Sequence, residues 1–194
     1  EKQQRYGADL SFNYKKDAWD FSASANYLRN DNAGFRDGDV YTIIGNKKTT
    51  FPSQGERSFD KYNYGGRFNL TFSPSEKHQF SIGFFAGHKY QDRVADIYYS
   101  NVNTVISTGQ VVGRSNYFNP NLQNKQGNFM LGNIDYTHNF SKKSALNFSA
   151  LFEHAGLEGS TKNRNIELNQ LVQNTLSTYK NPLNGFRTKI DYSI

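Results

Sequence analysis

Cysteine is absent from the 194 residues, so neither disulfides nor thiolate ligands are available and the redox compartment leaves no mark. Long apolar runs are absent as well. Nothing approaches the ~18 residues that a membrane-crossing helix needs, which excludes a helical membrane protein. Dense basic clusters are also missing, although 23 Lys+Arg against 17 Asp+Glu give +6 and a pI near 9.4. The longest basic runs are the pairs Lys15-Lys16, Lys47-Lys48 and Lys142-Lys143, which fit solvated turns better than a nucleic-acid surface. The opening "EKQQRYGADL" has no apolar targeting stretch, and the closing "RTKIDYSI" stops inside an alternating run, so both ends read as cut from something longer.

Aromatic residues are plentiful. They make up 15% of the chain, with 13 Tyr and 16 Phe, while the mean hydropathy is only −0.80. Many aromatics with few aliphatics point to β-structure with wide, wet surfaces. The alternation bears this out locally. Tyr6, Ala8, Leu10, Phe12 and Tyr14 share one face against Gly7, Asp9, Ser11 and Asn13 on the other, which is the period of a strand. The same pattern recurs and predicts seven strands, at roughly 4–15, 18–28, 61–72, 78–91, 127–140, 145–155 and 185–194. Short turns such as "SPSEK" and "SKKS" alternate with long stretches at 29–60, 92–126 and 156–184, read as loops. Within the last of these, "NIELNQLVQNTLSTY" has helical spacing at Ile166, Leu168, Leu171, Val172 and Leu176, which predicts a short loop helix.

Long loops that recur at one end of a sheet are unusual in a compact soluble domain. They are expected of an up-and-down barrel in an outer membrane, with short turns on the periplasmic side and long loops outside the cell. Such a barrel also carries an apolar band framed by aromatic girdles. Tyr6, Tyr14, Trp19, Tyr27, Tyr62, Phe72, Phe80 and Tyr90 stand at the ends of single strands as candidate girdle residues. Arg67, Asn69, Asp135 and Glu153 fall on the opposite, polar face, which would line a water-filled lumen. The expected fold is therefore all-β, an antiparallel up-and-down transmembrane β-barrel segment, about seven strands of a larger barrel. A soluble β-sandwich acting as a ligand- or carbohydrate-binding module shares the alternation, because it too buries one face.

The hairpins "YNYGGRFNLTFSPSEKHQFSIGFFAGHKYQD" and "NIDYTHNFSKKSALNFSALFEH" resemble the outer-membrane β-barrel domain of TonB-dependent receptors of the Bacteroidota type. A strand there ends at a Ser/Pro/Lys turn and returns with aromatic alternation. The resemblance implies a Gram-negative outer-membrane location and uptake of a nutrient ligand. It also implies as partners membrane lipid and lipopolysaccharide, the remainder of a larger barrel with its plug, TonB and a surface lipoprotein. A barrel with a structural or assembly role remains the other membrane reading.

Chemistry-bearing motifs are few. His78, His88, His138 and His154 lack ligand spacing, and the last three fall on the apolar face near strand ends and read as interfacial residues. "RNDNAGFRDGD" gathers Asn30, Asp31, Asn32, Asp37 and Asp39, yet it departs from the EF-hand pattern at Gly34 and Tyr41 and reads as a solvated turn. Gly65-Gly66 suggests a kink or bulge rather than a phosphate loop. The sequons at Asn69, Asn139 and Asn147 lie in or beside strands and read as chance matches. With no acid/base pair at useful spacing, the chain is expected to be no enzyme and to need no cofactor or metal. Tyr98, Tyr99, Tyr117 and Phe118 are the loop aromatics that could stack on a ligand such as a sugar.

Overall fold

The computed structural model describes residues 3–194. Ten strands form: β1 (Arg5–Lys16), β2 (Trp19–Asn30), β3 (Phe35–Gly38), β4 (Tyr41–Ile44), β5 (Lys47–Thr50), β6 (Ser53–Ser75), β7 (His78–Val105), β8 (Val111–Asn139), β9 (Ala145–Glu167) and β10 (Gln170–Ser193). All belong to one antiparallel sheet, whose main path is β1-β2-β6-β7-β8-β9-β10. The seven-strand up-and-down order expected from alternation is thus the order found. Among the described residues the sheet is open, since β1 pairs only with β2 and β10 only with β9. No described helix is long and apolar enough to cross a membrane, a statement that does not bear on strands.

The short turns have local causes. Asp17, at φ 50°, closes the β1–β2 hairpin through two residues, with Lys16 opposite Trp19. Leu168 and Asn169, at φ 48° and 62°, close β9–β10, the paired left-handed residues that match a tight turn to strand twist. That turn corrects the helix expected in "NIELNQLVQNTLSTY", where the chain instead reverses and continues as strand. The bulge expected at Gly65-Gly66 is also absent, for both sit in unbroken register, and the register shifts fall at Phe72/Ser75, Asn103/Thr104 and Leu171/Gln173.

The stretches at 29–60, 92–126 and 156–184 are mostly strand, not loop. β6 to β10 run far beyond the alternating segments, so that the β7–β8 hairpin alone pairs from His78↔His138 up to Thr104↔Val111. The 29–60 stretch folds back onto the same wall: β3 pairs with β6 beyond the end of β2, and β5 pairs with β7 beyond the end of β6. Thr, Val, Tyr and Asn are frequent in these extensions, and the first three favour a pleated backbone.

Cross-strand partners share a face, so the register itself aligns the side chains. One face carries row after row of apolar residues, for example Phe12, Ala23, Phe68, Phe84, Gly132, Phe152 and Phe186. No second layer covers it among the described residues. Among the described residues the only buried hydrophobic side chains are Ala95 and Ile97, both in the extension of β7, whereas Leu10, Phe186 and Ile190 are 75%, 71% and 70% exposed.

Candidate functional site

The eight aromatic residues expected at strand ends fall into register. Trp19, Phe72, Phe80 and Tyr136 form one cross-strand row at the short-turn end, continued by Phe148. Trp19 stacks on Phe72 at 4.2 Å and Phe80 on Tyr136 at 4.7 Å. At the other end Tyr6, Tyr62 and Tyr90 share a row, joined through Arg29, with Tyr62 stacked on Tyr90 at 4.8 Å. Tyr14 and Tyr27 lie one pleat inside these rows, opposite Phe21 and Tyr64. The ten-residue step from Tyr62 to Phe72 is about 33 Å of strand, or about 25 Å along the normal of a bilayer at ~40° tilt.

Arg67, Asn69, Asp135 and Glu153 all lie on the opposite face. Arg67 and Glu153 share a row through Phe85 and Leu131, and Asn69 and Asp135 occupy the next rows toward the short turns. In these rows charges are matched: Arg187 meets Glu153 at 2.9 Å, Lys189 meets Asp191 at 2.7 Å, and Lys15 faces Asp20 at 3.6 Å.

Higher on the same face the balance changes. Register and alternation put Lys89, then Arg5, Lys61 and Lys125, then Arg93, Arg57 and Arg36 on successive rows, and no carboxylate lies on these rows. None of the seven cations forms an ion pair among the described residues. The acids of this region, Glu56, Asp60, Asp92, Asp96 and Glu158, occupy the other face of the same strands. Lys61 and Lys125 flank Gln91 in one row and Lys89 lies one pleat below, and all three lysines line a groove of about 490 Å³. Its floor is apolar and aromatic, made by Leu28, Phe129, Leu157 and Tyr179. The Lys89 Nζ lies 5.5 Å from the Phe129 ring and the Lys61 Nζ 4.8 Å from that of Phe59, distances at which a ring face attracts a cation. Gly127 makes the floor possible: a Cβ there would meet Leu157 Cδ2 at 2.7 Å and the Phe129 ring at 3.1 Å. A second groove of about 360 Å³ continues below, over Phe85, Leu131 and Leu183, down to Glu153.

The four aromatics expected in a loop sit instead on the β7–β8 ladder. Tyr98 stacks on Phe118 at 4.5 Å and Tyr99 on Tyr117 at 5.0 Å. Adjacent residues in a strand point to opposite sides, so Tyr99 and Tyr117 share the basic face and Tyr98 and Phe118 do not. Two histidines far apart in the sequence do meet: His78 Nδ1 lies 3.3 Å from His138 Nδ1 and 2.9 Å from the Tyr136 hydroxyl. No group of three or more His, Cys, Asp or Glu capable of holding a metal occurs among the described residues. Asp31 is already occupied, paired with Arg29 Nε at 2.7 Å and accepting the Lys61 backbone N–H at 3.1 Å.

Sequence reasoning missed Lys61, Lys89 and Lys125 as a group. Each stood on the polar side of its run or in a presumed loop, and only register brings the three strands' lysines side by side. These features define a class: an open, single-layer, antiparallel up-and-down β-sheet with one apolar face and one polar, grooved face. No family model matches the chain, and no curated protein matches it in sequence.

Proposed function

We propose that this chain is a segment of an outer-membrane β-barrel, of the kind found in TonB-dependent receptors, whose polar face lines the path of a nutrient ligand into the cell. The observation that carries the reading is the exposed apolar face framed by two aligned aromatic rows. In water that face would leave rows of Phe, Leu and Ile unprotected, far beyond the patches soluble monomers expose. In a bilayer the same face is the solvated one, and the aromatic rows sit at the two headgroup levels. A soluble sandwich would need a second sheet over the apolar face, whereas the described residues form a single sheet. The extended hairpins then stand outside the cell, and the two-residue turn at Asp17 faces the periplasm. Uptake, the plug, TonB and a lipoprotein partner belong to this proposal through the resemblance of the two hairpins.

Trp19 supplies the test. It is the only tryptophan and lies in the aromatic row of the short-turn end. On folding into phosphatidylcholine vesicles its emission shifts to the blue, and lipids brominated near the headgroup quench it more than lipids brominated at the chain end. A monomer in water that leaves ANS dark and ignores vesicles would overturn the proposal.

A further inference from the structure

We propose that the groove beneath Lys61, Lys89 and Lys125 binds an anionic oligosaccharide bearing carboxylate or sulfate groups; this rests on the barrel reading only in taking the polar face as open to water. Three like charges held around one groove without a counter-charge repel one another, and an anion placed among them relieves that repulsion. Lys61 and Lys125 stand two strands apart, about 10 Å between backbones, so their ammonium groups suit separated charges along an oligomer better than a single compact ion.

The rest of the groove fits a sugar. Phe129 and Tyr179 offer ring faces of the sort that pack on the apolar side of a pyranose. Asn30 and Asn63 line the same wall, and the Oδ1 of Asn30 is a buried acceptor without a partner. A hydroxyl donates to such an acceptor, whereas a fully ionised sulfate or phosphate cannot. The volume, about 490 Å³, is that of an ordinary ligand site rather than of an extended nucleic-acid channel. Segregation of charge strengthens the case. The acids of the opposite face are interspersed with bases such as Arg114 and Lys162, whereas the rows around the groove carry bases and no carboxylate, so the potential is positive around the groove.

The experiment titrates the protein, folded in detergent micelles, with oligogalacturonate and with dextran sulfate, using neutral dextran and a single-stranded oligonucleotide as comparisons. Both anionic glycans bind, more weakly as salt rises, and neutral dextran does not. The triple variant Lys61→Gln/Lys89→Gln/Lys125→Gln loses at least about tenfold in affinity. Lys89→Gln alone, at an exposed position, gives a partial loss with the circular dichroism unchanged. Removing equal charge from the opposite face, by Arg114→Gln/Lys162→Gln/Lys180→Gln, leaves affinity as it was. Equal losses in the two triple variants, indifference to the charge of the glycan, or tighter binding of the oligonucleotide would each overturn the assignment. Vesicle insertion of the same preparation is scored separately: its failure with the lysine effect intact sinks the barrel reading and spares the groove, and the reverse result does the opposite.

Discussion

Met130 and Lys89 illustrate how one ladder divides its residues between an apolar and a polar face. Met130 pairs with Ala86 and His154 on the apolar face, midway between the aromatic rows, and is 45% exposed. Were that face in water, Met130→Lys would be a surface change of near-zero cost, within about 0.5 kcal/mol. Facing lipid, it should cost about 2–4 kcal/mol, the range for a cation at the midplane of a membrane barrel. Urea unfolding from vesicles, compared with the neighbouring polar-face change Asn133→Lys, measures the difference. A shift no larger for Met130→Lys than for Asn133→Lys would mean that the apolar face does not meet lipid. At this scale the division into two faces was legible from alternation alone: the eight strand-end aromatics share one face of the sheet, and Arg67, Asn69, Asp135 and Glu153 share the other. Convergence was not legible, because Lys61, Lys89 and Lys125 come from three strands whose relative register no local pattern records.

The hairpins show where alternation stops informing. Between the aromatic rows one face is apolar and the other polar, so period two is plain. Beyond Tyr90 the β7 sequence "QDRVADIYYSNVNTV" mixes both characters on both faces, Asp92, Val94, Asp96 and Tyr98 on one and Arg93, Ala95, Ile97 and Tyr99 on the other. Strands whose two faces meet similar surroundings lose the periodic signal, which is why 92–126 and 156–184 read as loops. The β9–β10 tip carries a further consequence. Leu168 holds φ 48° with its side chain 97% exposed, so a branched apolar residue occupies a left-handed position and gains nothing by burial. Leu168→Asn/Asn169→Gly places there the pair that such a turn prefers, and should stabilise the hairpin by about 1 kcal/mol. Hydrogen exchange at the amides of Thr175 to Thr178 reads this as slower opening. Exchange as fast as in the parent would show that the turn is not strained.

For the whole molecule the open edges decide behaviour. β1 and β10 each have one partner, so both present unpaired N–H and C=O groups along strands of 12 and 24 residues. In lipid such groups have no water to bond, and in water they template pairing with another chain. The expected resolution is edge-to-edge pairing, between copies of this chain or with further barrel strands. The absence of cysteine makes the test clean, since introduced thiols are the only ones. Asn13→Cys on β1 and Arg187→Cys on β10 place thiols on the polar face of the two edges, while Asn69→Cys on β6 lies inside the sheet with strands on both sides. In detergent-folded protein alone, a short bifunctional crosslinker should join copies carrying the edge thiols and leave Asn69→Cys monomeric. Covering the edges with further strands supplied as peptides should abolish the crosslink. Equal crosslinking from the interior position would indicate association through the polar face instead, since Asn69 lies on that side, and would move the weak point of the isolated sheet from its hydrogen-bonding edges to its grooved surface.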